Sequence, residues 1–161
     1  MKNMETIKMK IVTALRNFFF DEDEIWEEKA LEQIRKNEGL VLKPYKCPAG
    51  KLSIGYGHNL ESNGITKNCA EFMLQEDFNS SVKCLEIIFG SDFFHSLKPN
   101  KKIALTDMMF NLGATSFLTF KKFIKAIKEK DFERASEEVK LSKAYVQCKN
   151  RYEQISKQIK E

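Results

Sequence analysis

Four residues that can take part in hydrolytic chemistry lie close together in the first third of the chain. Glu38 is followed after eight residues by Cys47 and after five more by Ser53, and His58 comes soon afterwards. A carboxyl group can donate a proton, a thiolate can act as a base or a nucleophile, and a hydroxyl can hold a water molecule. This segment is therefore the first candidate for an active site.

Two functional interpretations of these residues are open. A Cys47–His58 dyad would be the nucleophilic pair of a cysteine hydrolase. Alternatively, Glu38 supplies the proton and His58 is a structural histidine. Each residue also has a plain interpretation: Glu38 as a surface carboxylate at a helix end, and Cys47 as a small buried apolar residue.

The elements around these residues change character along the chain. The acidic residues 21–28 predict a solvated turn followed by a helix start, and apolar residues at helical spacing continue that helix from Trp26 to Asn37. Four of the seven glycines and two of the three prolines follow between residues 43 and 64. They separate short β-favouring pieces such as residues 51–54, which predicts a small, tightly turned β-sheet.

Helical periodicity dominates the rest of the sequence. Thr66 is predicted to cap a long helix that runs to Gly90. The helix after Pro99 is apolar on nearly every side, as a buried central helix would be. Three further amphipathic segments are predicted at residues 117–127, 132–141 and 145–159. Asp131 is predicted to cap the second of them. The fold class is therefore α+β, mostly helical with a small β lobe.

Composition limits the classes of function. The 161 residues fit one domain, and 42% hydrophobic with 31% charged residues is typical of a globular protein. A net charge of +4 favours polyanionic partners, but no familiar nucleic-acid motif occurs, so no nucleic-acid partner is expected. No apolar run reaches the length of a membrane span, so no stable membrane insertion is expected. The four cysteines include no C-x-x-C pair, which favours reduced thiols over a zinc site.

The segment from Glu38 to His58 resembles the signature of the bacteriophage-type lysozymes, the endolysin muramidases of glycoside hydrolase family 24. The family pattern is Glu, eight residues, Asp or Cys, five residues, Thr, and this chain has Glu, Cys and Ser at that spacing. Residues 65–77 resemble the family's inter-lobe helix, residues 102–113 its buried central helix, and residues 149–151 a late segment that carries an arginine. The resemblance covers roughly residues 29–161 and implies a lysozyme-like fold, in which a long helix joins a β lobe to a helical lobe.

The resemblance implies catalytic roles for three residues and an orienting role for Arg151. Glu38 would be the general acid that protonates the leaving glycosidic oxygen, and Arg151 would orient it. Cys47 stands where the family often has Asp, and would either act as a base toward water or attack the anomeric carbon. Ser53 replaces Thr and keeps a hydroxyl that can hold water.

The resemblance also implies binding and structural roles. Asn59 and Phe110 match substrate-contacting positions, and His58 with Asp77 matches a structural ion pair. Phe123 and Glu138 match substrate-contacting positions less closely, because the family has a small polar residue and an amide there. Core packing for Phe123 and a solvated position for Glu138 are at least as well supported.

Residues 1–28 form an N-terminal extension without a counterpart in this resemblance, ahead of a catalytic domain at residues 29–161. Apolar residues at helical spacing predict a short amphipathic helix at residues 4–19. It would pack on the domain, or serve as a membrane-surface or partner-docking element. The acidic residues from Asp21 to Glu24 stand where a signal peptide would have a small-residue cleavage site, so no cleaved signal is expected.

The expected function is that of a monomeric muramidase. It would cleave the β-1,4 bond between N-acetylmuramic acid and N-acetylglucosamine in peptidoglycan glycan strands, without a metal or an organic cofactor. The resemblance implies an endolysin of a phage or prophage that stays in the cytoplasm until it is released to the cell wall, and a host-encoded enzyme descended from a prophage is equally compatible with it. Two alternatives remain: a wall-binding module that has lost catalysis, and a cysteine hydrolase that uses Cys47 and His58.

Overall fold

The computed structural model describes residues 22–161, which form two compact units divided between Thr66 and Lys67. We call them the β unit and the helical unit and describe each by itself. The amphipathic helix predicted at residues 4–19 lies outside the described residues. A small antiparallel sheet and a larger number of helices confirm the α+β class.

The β unit combines one long helix, three short strands and one helical turn. Its elements are α1 (Glu22–Glu38), β1 (Val41–Lys46), β2 (Leu52–Gly55), β3 (His58–Asn59) and α2 (Leu60–Asn63). The strands are antiparallel in the order β1-β2-β3, which confirms the predicted sheet. Ser53 of the central strand pairs with Tyr45 on one side and with Asn59 on the other.

The helix start predicted within residues 21–28 is confirmed, and it comes early: α1 already begins at Glu22, so no turn precedes it from Glu22 onward. Glutamate is a good helix former, and negative charge is favoured near a helix N-terminus, so an acidic run can open a helix. The helix ends at Glu38. The next residue, Gly39, has φ +69°, and its N–H donates to the Arg35 carbonyl at 3.1 Å, a left-handed closure that favours glycine.

The helical unit contains the remaining elements. They are α3 (Lys67–Phe89), α4 (Ser91–Ser96), α5 (Pro99–Phe117), α6 (Lys121–Lys128), α7 (Phe132–Lys140), α8 (Lys143–Gln147) and α9 (Lys149–Lys160). The long helix after Thr66 and the cap at Asp131, whose side chain accepts from the Arg134 N–H, are confirmed. The segment predicted at 145–159 is two helices, because Cys148 breaks it with φ −130° and ψ 55°. The helix predicted from Phe117 begins at Lys121.

The core of the helical unit is built around α5, which packs against α3 and α9. Ala104, Leu105 and Met108 of α5 are fully buried, which confirms a central helix. Burial is not complete on every side, since Ile103 is 54% exposed and Phe110 is 40% exposed. Near its end the helix is interrupted at Gly113, where φ is 69° and ψ is 161°.

Within residues 22–161, no helix is both long and apolar enough to cross a membrane. In the same part of the chain, no group of three His, Cys, Asp or Glu side chains lies close enough to hold a metal ion. Cys47, Cys84 and Cys148 carry free thiols.

Candidate active site

Glu38 is positioned by the end of α1 and by a glycine in the β2–β3 turn. Its carboxylate lies against Gly57, so that a methyl group added at position 57 would stand 3.1 Å from Oε2. Gly57 has φ +76°, a conformation that L side chains rarely adopt. The close approach of the carboxylate and the backbone conformation therefore both favour glycine here. Glu38 itself is exposed, which leaves its carboxyl group accessible to a ligand.

Cys47 lies in the turn that joins β1 to β2. Its N–H donates to the Lys51 carbonyl at 2.9 Å, and its own carbonyl accepts from the Gly50 N–H at 2.8 Å. The N–H of Lys51 also donates to the thiolate, and this bond does most to hold the pKa of Cys47 below its usual value. Partial burial opposes the shift, whereas the N–H of Ala49 and the hydroxyl of Ser53 add to it. The turn therefore favours the thiolate, the reactive form of cysteine.

Ser53 is held beside this thiolate by the sheet. Only 3% of the residue is exposed, because it sits in the central strand with a partner on each side. Its Oγ lies 3.4 Å from the Lys51 carbonyl. A hydroxyl has one proton, so it donates to that carbonyl when Cys47 is a thiol and to Sγ when Cys47 is ionised. The structure thus brings Cys47 and Ser53 together.

His58 and Asn59 both hold the segment that follows the sheet. Nε2 of His58 donates to the Gly64 carbonyl at 2.6 Å. Oδ1 of Asn59 accepts from the Ser62 N–H at 2.9 Å and so caps α2. Within the described chain, His58 is not among the groups that lower the pKa of Cys47. This arrangement favours a structural His58 over a Cys47–His58 dyad, and the ion pair of His58 with Asp77 remains a prediction.

In the helical unit, Arg151 is fixed by Asp107. Nη2 of Arg151 lies 2.5 Å from Oδ1, and Nε lies 3.2 Å and 3.3 Å from the two carboxylate oxygens. This hydrogen bonding raises the pKa of Arg151, although burial opposes it, so the guanidinium is charged at every working pH. Both side chains are more than one-third exposed, so the pair adds at most about 1 kcal/mol to stability. Its main effect is to fix the direction of the guanidinium.

The residue next to Arg151 makes a second contact to the same helix. The hydroxyl of Tyr152 donates to Oδ1 of Asn111 at 2.8 Å. Tyr152 is fully buried, and burial raises its pKa to about 12. Consecutive residues of α9 are therefore bonded to two positions on α5.

Asp107 is a site residue that the sequence reasoning missed. A signal was present, because it is the only charged residue in the segment from Ile103 to Leu112, which is otherwise largely apolar. A single carboxylate in such a helix needs a partner or a function. The sequence does not show that its partner is Arg151, which lies 44 positions away along the chain.

Phe110 and the Arg151–Asp107 pair line one groove of about 830 Å³ within the helical unit. Leu74, Phe78 and Ile103 form apolar parts of its wall. A concave, mostly apolar surface with a few fixed polar groups is the usual form of a ligand site. The groove therefore brings two of the predicted site residues, Phe110 and Arg151, together.

The remaining predicted positions, Phe123, Glu138 and Asp77, lie in different surroundings. Phe123 is only 1% exposed and packs edge-to-face on Phe117 at 6.0 Å between ring centroids, so it is a core residue. Glu138 is half-buried and lines a second pocket. Asp77 lines a small pocket of about 340 Å³, and its carbonyl accepts from the Ser81 hydroxyl at 2.8 Å.

Known proteins resemble the chain across both units. The family model for phage lysozyme matches residues 35–155. An endolysin of Acyrthosiphon pisum secondary endosymbiont phage 1 is 36% identical over 126 residues, which cover 76% of this chain and 83% of the relative. Probable T4-type lysozyme 2 of Dictyostelium discoideum is 29% identical over 139 residues, covering 69% and 81%. Probable T4-type lysozyme 1 of the same organism is 26% identical over 151 residues, covering 77% and 89%.

Proposed function

The chain belongs to the phage lysozyme family, and we propose that it is a muramidase with Glu38 as its general acid. As a lysozyme it is a glycoside hydrolase that acts on peptidoglycan. The bond cleaved in our proposal is the β-1,4 bond between N-acetylmuramic acid and N-acetylglucosamine. The observation that carries the proposal is geometric: the same small unit holds the exposed Glu38 carboxylate against Gly57 and the Cys47 turn, in which backbone amides and the Ser53 hydroxyl bond to the sulfur.

Glu38 donates its proton to the leaving glycosidic oxygen. An exposed carboxyl at the end of a helix is accessible to a glycan strand, and Gly57 leaves room for it on the side of the sheet. A general acid must carry its proton at the working pH, and a bound glycan that covers the carboxyl would favour that form. In the family's pattern a late arginine serves the catalytic Glu, and Arg151 takes that role here, with its direction fixed by Asp107.

Cys47 supplies the second group that the reaction needs. As a base, its thiolate takes a proton from a water held by the Ser53 hydroxyl, and that water attacks the anomeric carbon with inversion. As a nucleophile, Sγ itself attacks, and water later releases the sugar with retention. The Ser53 hydroxyl beside Sγ supports the first route. The anomeric configuration of the first product separates the two routes.

The other predicted residues bind the substrate or support the fold in this proposal. Phe110 offers a partly exposed ring at the groove, and Asn59 contacts the glycan next to the sheet while its Oδ1 caps α2. His58 and Asp77 are structural. The enzyme acts as a monomer and stays in the cytoplasm until the membrane is permeabilised.

The test is clearing of purified peptidoglycan by the wild type and by Glu38→Gln, with new reducing ends assayed. The muramidase proposal expects clearing with reducing ends in the wild type, and a loss of roughly a hundredfold or more in the variant. Glu32→Gln removes an equal charge from an exposed position of the same helix and serves as the matched control. It should clear as the wild type does.

Other outcomes identify the alternatives. Clearing without reducing ends, abolished by Cys47→Ala and retained by Glu38→Gln, would indicate a cysteine hydrolase. Sedimentation with the wall without clearing would indicate a binding module. Cys47→Asp restores the carboxylate that the family often has, so in our proposal it retains activity.

A further inference from the structure

Ser53 is buried although it belongs to a small unit that has little interior. Among residues 26–66, whose exposure the structure describes, it is the only buried residue, and every apolar side chain of that range is half-buried or exposed. Serine is mostly found at the surface of proteins, and burial of a hydroxyl costs free energy unless it is hydrogen-bonded. The burial of this hydroxyl therefore requires a specific cover.

The register of the sheet identifies the neighbours of Ser53. Tyr45 and Asn59 are its partners in the two flanking strands, so the three side chains project from the same face of the sheet. Cys47 follows Tyr45 by two residues, and its N–H still pairs with Lys51 across the hairpin. Its sulfur therefore lies on the same face, where it meets the Ser53 hydroxyl. Tyr45 thus shares one surface with two of the proposed catalytic groups.

Tyr45 is the only large side chain among these neighbours. Cys47 is short, and Oδ1 of Asn59 is engaged with the Ser62 N–H at 2.9 Å. Directly paired side chains of an antiparallel sheet have Cβ atoms about 4.5–5.5 Å apart, so an aromatic ring at position 45 can reach over Ser53. Tyr45 is itself only half-buried, which leaves part of its ring open to a ligand.

We propose that Tyr45 is a positioning residue whose ring shelters the Cys47–Ser53 pair from bulk water. This inference rests on the proposed function, in which the Ser53 hydroxyl holds the attacking water. That hydroxyl already has the Lys51 carbonyl and Sγ of Cys47 as protein partners. A hydrogen bond that is sheltered from water is stronger than one that competes with it. Without the ring, bulk water competes for the hydroxyl, and the attacking water loses its fixed position.

The first test measures the release of reducing ends from peptidoglycan by Tyr45→Ala, Tyr45→Phe and Ser53→Ala. Tyr45→Ala should lower kcat by about tenfold at a similar KM, since a misplacement of 1 Å can cost roughly a hundredfold in rate. Tyr45→Phe keeps the ring and should restore most of that loss. In a Ser53→Ala background, Tyr45→Ala should have little further effect, because residues that act through one another are not additive.

Leu52→Ala is the matched control. Leu52 precedes Ser53 in β2, so its side chain projects from the opposite face of the same sheet. This variant should keep the wild-type kcat per folded molecule, with the folded fraction taken from urea unfolding. Equal losses in Leu52→Ala and Tyr45→Ala, or additive losses in the double variant, would overturn the proposal. So would a loss in Tyr45→Phe as large as that in Tyr45→Ala.

The second test does not depend on glycosidase activity. At a pH where the Cys47 thiol is fully ionised, its rate of alkylation by iodoacetamide reports access to the sulfur. The rate should rise in Tyr45→Ala and stay near that of the wild type in Tyr45→Phe and Leu52→Ala. An unchanged rate in Tyr45→Ala would overturn the inference and leave the muramidase proposal intact. A wild type that releases no reducing ends would refute the muramidase proposal, and full turnover in Ser53→Ala would overturn the inference together with the water route.

Discussion

Gly57→Ala tests whether the contact between Gly57 and Glu38 sets the position of the carboxyl that we propose as the general acid. The added methyl group would stand 3.1 Å from Oε2 of Glu38, which is tighter than an ordinary van der Waals contact. The carboxylate must therefore move by a few tenths of an ångström. Gly64→Ala is the matched control, because Gly64 lies in the same unit with φ +60° and a methyl group there meets nothing within 4 Å.

Two measured quantities separate backbone strain from displacement of the Glu38 carboxyl: the free energy of unfolding reports the strain, and the turnover reports the displacement. An alanine at positive φ costs about 1–3 kcal/mol of folding free energy, and both variants should show a loss of that size. Displacement of a catalytic group by 1 Å can cost roughly a hundredfold in rate. A shift of a few tenths of an ångström should therefore lower the turnover of Gly57→Ala by about threefold to tenfold. Gly64→Ala should keep the wild-type turnover per folded molecule.

The assay combines urea unfolding with release of reducing ends from peptidoglycan, at a temperature where both variants are folded. Turnover is then divided by the folded fraction. Equal turnover in the two variants would refute the reasoning, because it would show that the methyl group at position 57 leaves the carboxyl in place. A stability loss without any loss of turnover in Gly57→Ala would refute it in the same way.

Two further predictions concern individual hydrogen bonds. Alkylation of Cys47 by iodoacetamide, followed by mass spectrometry, should rise with pH through a midpoint below that of the unfolded chain, because donors to the thiolate lower the pKa. Because the pKa of Cys47 is lower in the folded than in the unfolded chain, the thiolate stabilises the fold above the unfolded pKa, and this stabilisation is lost as pH falls through the folded pKa. Ser53→Ala should move the alkylation midpoint upward. An unmoved midpoint would show that the Ser53 hydroxyl does not donate to the thiolate. Tyr152→Phe removes the buried donor to Asn111 and should cost about 1–2 kcal/mol in urea unfolding. Tyr145→Phe removes a hydrogen bond at the surface and should cost less than about 0.5 kcal/mol, so equal losses would contradict the burial argument.

The β unit was predictable because its signals are local. Glycines and prolines between residues 43 and 64 mark turns, and the pieces between them are too short for helices. Cys47 begins the β1–β2 turn and Ser53 lies in β2 just after it, so a spacing of a few residues is enough to bring them together. The contact of Gly57 with Glu38 depends on how α1 meets the hairpin, which no short pattern specifies.

The helical unit was predictable where helices are long and periodic. The helix α4 covers only six residues, less than two turns, so it leaves little periodicity to detect. The break at Cys148 has neither glycine nor proline to mark it. The ion pair of Asp107 with Arg151 could not be predicted from the sequence for a different reason. It joins two helices whose relative register is set by the packing of the whole core.

That register has a consequence for the precision of the site. Asp107 and Asn111 lie one turn apart on α5, and the adjacent residues Arg151 and Tyr152 of α9 bond to them. Sliding α9 by one helical turn, about 5.4 Å, would break both bonds together and leave the buried Tyr152 hydroxyl without an acceptor. A set of buried isoleucines would resist such a slide weakly, because apolar contacts are not directional. The two polar contacts thus fix the axial register of α9 against α5. They thereby fix the position of Arg151 along the groove.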